Sequence, residues 1–349
     1  MALLHCLAQA AQPRGVQVWA LHVHHGLMAQ ADEWAAFVER ACKRWSVSFA
    51  MQRLTGHPAR GQSVEAWARA GRYAALASMA RAAGCGVIAL AHHRGDQAET
   101  FLLQALRGAG AAGLAAMPAR VERDGLTWLR PWLDQPRDAI EAYVRSHRIR
   151  FVDDASNDDP RFARNRLRAQ VMPALRAAFP DAEAALSDAA AQAAHARALI
   201  DEVAQADLAA VQDGDAFVLD RWQALSAARR RACLRAWLTP RLEQGVAEAL
   251  LDRLLDELPA KAPARWPLRG SAGGELRRYR GRLTVSASPP SSKLPSWPCP
   301  AAVDSIGTHA VPGTDASLCV RSAADGLPLA LLRGAVWRAL NGSRTSTTP

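Results

Sequence analysis

The sequence predicts an α/β protein with a mostly parallel sheet, and two observations carry that expectation. From Met1 to about Val152, short apolar runs alternate with stretches of helical periodicity, the pattern of strands joined by crossover helices. Half of the 349 residues are hydrophobic, enough for two or three domains with at least one sizeable core.

Residues 2–10 read as a helix, with Leu3, Leu4 and Leu7 at core spacing, although no strand, turn or capping residue precedes them. A parallel α/β domain normally opens with a strand that feeds a phosphate-binding loop at a helix N-terminus. The expected architecture is therefore a Rossmann-like parallel sheet with flanking helices, lacking its first strand and phosphate loop. Val16–Val23 is β-rich, Ala35–Trp45 and Val64–Ala82 are helical, Val87–Ala91 is a short buried strand, and Gln97–Arg107 is a further helix. After Pro173 the alanine-rich stretch 181–210, then 227–238 and 246–258, continue as helices. From Gly270 the text turns to Gly, Ser and Pro around one strand, Glu275–Val285, then a Ser/Pro linker, Ala287–Pro300, and a polar tail, Asn341–Pro349, expected to be poorly ordered. Three domains are expected: an α/β catalytic domain over 1–178, a helical domain over 179–262, and a β-containing, incomplete region over 263–349.

The formal net charge is +10, carried almost wholly by arginine. Guanidinium forks suit phosphate and stack on bases, while an arginine-favouring lineage with a solvated surface explains the charge equally well. The six cysteines are scattered with no C-x-x-C pair, which argues against a zinc ribbon, an iron–sulfur cluster or a redox motif. No run of about 18 apolar residues and no signal-peptide pattern occur, so the protein is expected in the cytoplasm, without a membrane partner.

In α/β sheets ligands gather beyond the carboxyl ends of strands, which directs attention to His22–Gly26 and His92–Glu99. Asp96 and Glu99 have capping-box spacing, a structural role that accounts for both; clustered with two histidines they also suit a cationic substrate or Mg²⁺. His22 and His24 share a strand face, but no third ligand type lies near them, so zinc is disfavoured. Glu65 and Arg69 stand four apart on a helix, a surface pair worth about 0.2 to 0.5 kcal/mol, and Arg72 shares that face, so two guanidinium groups could meet a phosphate. In 153–168 an acidic turn precedes Arg161–Arg168, with Arg164 and Arg168 four apart on a helix start and expected as a basic ridge beside the catalytic domain, suited to phosphate contact.

Taken in order, HVHHGL at 22–27, ARAGRY at 68–73, AHHRGDQAETFLLQALRGAGAAGLAAM at 91–117, RPWL from Arg130, DDASN and RNRLR resemble the tRNA(Ile)-lysidine synthetase family of PP-loop ATP pyrophosphatases. The match spans about half the chain, and several motifs agreeing in order and spacing make it specific. The resemblance implies a ligase that uses ATP and Mg²⁺ to adenylate the wobble cytidine of tRNA(Ile) with a CAU anticodon. L-lysine then displaces AMP, and codon specificity changes from AUG to AUA.

By the same resemblance Asp96, Arg72 and His92 are catalytic, Asp96 orienting the lysine. His24, His25, Arg69 and Glu99 lie near substrate or ATP, and Arg107, Arg164, Asn165 and Arg168 face tRNA or support the site; no metal ligand is assigned. The family's S-G-G-x-D-S phosphate loop is absent, residue 95 is glycine where an acidic residue is common, and Pro312–Trp337 resembles the start of a truncated tRNA-binding domain. An active enzyme with a longer N-terminus and a catalytically impaired product that retains RNA binding both fit. A tRNA thiolase ranks last for want of paired cysteines, and a homodimer is left open.

Overall fold

The computed structural model describes residues 1–24, 26, 30–58, 63–152, 159, 161–242, 245–260, 262–268, 274–287, 307–310 and 317–320. By its contacts the chain divides into two compact units, Met1–Val211 with Arg221–Leu238, and Gln212–Asp220 with Thr239–Pro349.

The first unit opens with α1 (Ala2–Ala11), β1 (Trp19–His24), α2 (Ala31–Arg44), β2 (Ser48–Arg53), α3 (Val64–Ala82) and β3 (Val87–Ala89). β1 and β2 pair in parallel, from Trp19 opposite Ser48 to His24 opposite Arg53. Helix α3 starts where the Ser63 hydroxyl accepts the Ala66 amide, satisfying one of the donors that a helix start leaves open. Its run Ala75, Leu76, Ala77, Met79 and Ala80 is buried with Val23 of β1 and Ile88 of β3. Ala8 of α1, Ala20 of β1, Cys42 of α2 and Val47 form a second buried cluster. With helices packed against them, these strands read as apolar runs, not as an alternating pattern.

Next come α4 (Arg94–Ala105), α5 (Ala111–Leu114), β4 (Arg120–Arg123), β5 (Leu126–Leu129) and α6 (Arg137–Ser146). β5 runs parallel to β3, whereas β4 is antiparallel to β5. Asp124 and Gly125 reverse the chain between them with φ of 53° and 73°, two successive positive values that match the twist of a tight hairpin. β2, β4, β5 and α6 add to the elements expected from the sequence. Among the described residues β1–β2 and β3–β5–β4 are separate sheets. The expected single sheet is therefore interrupted, and residues of both β1 and β3 line one cavity of about 740 Å³.

α7 (Ala163–Arg166), a π-helical turn (Leu167–Val171), α8 (Met172–Ala178) and the long α9 (Ala182–Val211) follow. Ala98 of α4, Leu167 and Met172 form a core joined by Leu102 and by Leu186 of α9. α9 also packs against α5 and against α11 (Ala227–Leu238), while every residue from His195 to Val203 is exposed. The stretch expected to open a separate helical domain is thus counted with the first unit, because it docks on α4 and α5.

In the second unit β6 (Gln212–Asp213), β7 (Ala216–Val218), β8 (Ala264–Leu268), β9 (Gly274–Tyr279) and β10 (Arg282–Ala287) form an antiparallel sheet in the order β6-β7-β10-β9-β8. The helix α10 (Leu219–Gln223) follows β7 directly. The single strand expected over Glu275–Val285 is two strands, reversed at Arg280 and Gly281 with φ of 49° and 71°. Phe217, Trp266, Leu276 and Leu283 are buried in this unit. Buried Arg278 donates to the carbonyls of Glu257, Leu258 and Ala262, closing the C-terminus of α12 (Glu248–Glu257) with a cation where the helix dipole favours one. β11 (Gly307–Ala310) and β12 (Ser317–Val320) pair antiparallel. The expected Ser/Pro linker from residue 288 and the polar tail lie outside the described residues, as does the resemblance over Pro312–Trp337 except for Ser317–Val320.

Candidate functional site

Beyond the carboxyl end of β3 the chain passes through His92 and His93 into α4. His93 caps this helix: its Nδ1 accepts the Gly95 amide at 3.0 Å, and Asp96 Oδ2 accepts the His93 amide at 3.0 Å. The capping box expected from Asp96 and Glu99 therefore sits three residues earlier, with Asp96 as its second member and an imidazole as its first. A Cβ at Gly95 would stand 2.9 Å from His93 Cε1, so glycine is what lets the imidazole fold over the helix start.

Released from capping, Glu99 points into the protein with its side chain 3% exposed. Arg168 Nε donates to Glu99 Oε1 at 2.7 Å, and its Nη2 donates to Oε2 at 2.8 Å and to Asp96 Oδ1 at 3.1 Å. Arg164 Nε lies 3.6 Å from Glu99 Oε2 and its Nη2 donates to Thr100 Oγ1 at 2.7 Å. Thr100 Oγ1 in turn donates to the Asp96 carbonyl at 2.7 Å. Arg164 and Arg168, expected as a basic ridge beside the catalytic domain, both turn toward Glu99, because a buried carboxylate needs cationic partners. The hydrogen bonds it donates to Glu99 hold the Arg168 guanidinium in its charged form, against desolvation. Asn165 stays beside them and donates to the Asp159 carbonyl at 3.0 Å. Each Asp96 oxygen already accepts one bond, and each keeps a further lone pair.

The surroundings of His92 are different. Burial drives its pKa down to about 4; attraction to Asp96 opposes this, and repulsion from Arg130, Arg164 and Arg69 adds to it. His92 is therefore a neutral imidazole near pH 7 whose buried Nδ1 has no hydrogen-bond partner among the described residues. Arg72 has its pKa lowered by desolvation and, with Tyr73 opposing, by Arg69 and Arg164. The Arg69 guanidinium lies over the Tyr73 ring at 5.5 Å. Arg69 and Arg72 form no ion pair among the described residues, and together with Arg164 they add positive charge around His92. Such a cluster suits a polyanion.

His93, Thr100 and Arg130 stood inside the quoted motifs, but sequence reasoning assigned none of them a role of its own. Arg130 is buried, donates through Nη1 to the Pro118 carbonyl at 2.7 Å, and leaves Nε without a partner. Its signal was the RPWL motif directly after the apolar run of β5. The Glu65 side chain and His25 lie outside the described residues. His24 closes β1, where buried Nδ1 accepts the Gly26 amide at 3.1 Å and Nε2 lies 3.3 Å from Asp32 Oδ1 without hydrogen-bond alignment. Asp32 also accepts Arg53 Nη2 at 2.6 Å. Arg107 is exposed in the turn past α4, roughly 16 Å along the helix from Asp96, and is not brought to the cluster.

No group of three His, Cys, Asp or Glu side chains that could hold a metal occurs among the described residues. The two nearest carboxylates, Asp96 and Glu99, are engaged by Arg168, a donor set that fits a resident Mg²⁺ poorly. The arginines and His92 fit the phosphates of ATP.

Residues 1–175 match the family model described as PP-loop domain, and residues 217–284 match the TilS substrate binding domain. The tRNA(Ile)-lysidine synthase of Ralstonia nicotianae is 42% identical over 304 residues, which is 86% of this chain and 65% of that protein. That of Bordetella pertussis is 46% identical over 244 residues, 68% of this chain and 76% of its own. Among solved structures, the U34-tRNA thiolase NcsA from Methanococcus maripaludis aligns over 55% of this chain and 68% of its own, with a TM-score of 0.46 and 10% identity. No helix among the described residues is long and apolar enough to cross a membrane.

Proposed function

Since this chain belongs to the tRNA(Ile)-lysidine synthase family, we propose that it uses ATP to activate the wobble cytidine of tRNA(Ile) with a CAU anticodon and joins L-lysine to it, in the cytoplasm. The cytidine 2-carbonyl oxygen attacks the α-phosphorus and pyrophosphate leaves. The lysine amine then adds at C2, and AMP departs with the oxygen. The product base is read as changing the codon from AUG to AUA.

The observation that carries this reading is the cluster of Arg69, Arg72 and neutral His92 beside Asp96. Guanidinium groups stabilise the charge that builds on a departing phosphate. Asp96 offers its remaining lone pairs to the lysine ammonium, and Arg164 and Arg168, held by Glu99, keep Asp96 in place. Mg²⁺ belongs to this proposal as a companion of the triphosphate, and no step is assigned to it. The division into a catalytic domain, a helical domain and a C-terminal RNA-contacting region is part of the same reading.

The deciding assay measures lysine incorporation into tRNA(Ile) and tRNA-dependent pyrophosphate release, with Asp96→Asn as control. Activity lost in the variant supports the proposal; equal activity in both proteins removes Asp96 from it. Salt-sensitive tRNA binding with no pyrophosphate release supports the alternative of RNA binding without ligation.

A further inference from the structure

Three flat side chains of the first unit form a graded series. Trp128 of β5 lies opposite Ile88 of β3 and is 3% exposed. The Tyr73 ring of α3 packs on it, with centroids 5.0 Å apart and planes tilted by 32°. Arg69, one helical turn before Tyr73, carries its guanidinium over the Tyr73 ring at 5.5 Å. The series thus passes from buried Trp128 through half-buried Tyr73 to exposed Arg69. The Arg69 charge acts on His92, so the open end of the series stands near the turn beyond β3.

Arg69 and Arg72 are therefore not equivalent. Among the described residues an aromatic ring contact of this kind occurs for Arg69 and not for Arg72. A phosphate asks for charge and donors, which a free guanidinium supplies. A nucleobase asks for a flat face held in place, and a guanidinium resting on a ring offers one. Arg69 keeps its full charge in that contact, is exposed, and has no ion pair among the described residues.

We propose that Arg69, with Tyr73 as its pedestal, is a base-stacking residue: its exposed guanidinium takes an unpaired nucleobase, the wobble pyrimidine of the RNA, and Arg72 is left to the phosphates. The choice of that base rests on the ligase reading above, whereas the stacking face does not. Stacking with a cation–π component favours any base that reaches it, so Arg69 supplies placement beside His92 and Asp96, not a choice between bases. Tyr73 acts through Arg69 and is a positioning residue.

The test compares two anticodon stem-loop RNAs that differ only at the wobble position, one with cytidine and one with an abasic nucleotide. Wild type is expected to bind the cytidine RNA about fivefold or more tighter. Arg69→Lys keeps the charge and removes the plane. Its expected effect is loss of the cytidine preference at an unchanged salt dependence, and Tyr73→Leu should lose the preference as well. Equal affinity of wild type for the two RNAs overturns the inference and leaves the ligase reading to stand on lysine incorporation. A preference that survives in Arg69→Lys also overturns it. The other source of a base is ATP: if Arg69→Lys weakens ATP relative to inorganic triphosphate and keeps the cytidine preference, adenine is the occupant and the proposal is overturned. Wild type that binds neither RNA overturns this inference and the ligase reading together. If Tyr73→Leu fails to fold, Arg69→Lys, altered at an exposed position, decides alone.

Discussion

The carboxylate of Glu99 takes the fork of Arg168 at two points, Nε to Oε1 at 2.7 Å and Nη2 to Oε2 at 2.8 Å. Two parallel charge-assisted bonds fix the orientation of both groups. Glu99→Gln keeps the shape and removes the charge, and is expected to lower stability by about 1.5 to 3 kcal/mol. Urea unfolding measures it. An unchanged midpoint would show that Arg168, a third exposed, is satisfied by water instead.

His92 makes stability depend on pH. Its pKa falls from 6.5 to about 4, so below about pH 6.5 the unfolded chain binds a proton that the folded chain refuses. Stability contributed by neutral His92 is full above pH 6.5 and is lost as pH falls toward 4. The loss is at most about 3 kcal/mol, reduced by whatever water reaches the ring. His92→Gln should flatten the slope between pH 6.5 and 4; an identical slope in the variant places the proton elsewhere.

Arg72→Ala removes a guanidinium with no ion pair among the described residues. Folding stability should move by no more than about 0.5 kcal/mol, while tRNA affinity falls and its salt dependence becomes shallower by about one counterion. Filter binding across a salt series reads both quantities. Unchanged affinity and slope would remove Arg72 from the anion site.

Gln97 ties α4 to the segment before β4. Its Nε2 donates to the Met117 carbonyl and its Oε1 accepts the Met117 amide, both at 3.0 Å and buried. Gln97→Leu leaves two buried backbone groups unpaired and should cost about 2 kcal/mol or more. Calorimetric melting of wild type and variant checks this, and equal melting temperatures would mean that water replaces the amide.

The extent of α3 was legible because Ser63 is a strong cap and few breakers interrupt the run to Ala82. β2 was not, since its half-exposed residues alternate weakly from Ser48 to Arg53. The β9–β10 reversal hid for another reason: Arg280 and Gly281 stand among arginines that look like strand surface. At the site, spacing correctly grouped Asp96 with Glu99 and Arg164 with Arg168. It could not show that Glu99 draws both arginines inward, because the partners lie more than sixty residues apart in sequence. The positive charge around His92 depends on burial and on Arg130, whose burial beside His92 the RPWL motif does not reveal.

α9 is gripped near both ends and bare from His195 to Val203, which makes it a ruler. A helix of 30 residues is about 45 Å long and turns roughly 100° per residue. Length and phase along that bare span are therefore locked together. Most substitutions there should be tolerated, whereas deletion of a single residue would swing the far end, with Asp207 and its partner Arg229 of α11, by more than a quarter turn relative to the end docked on α4.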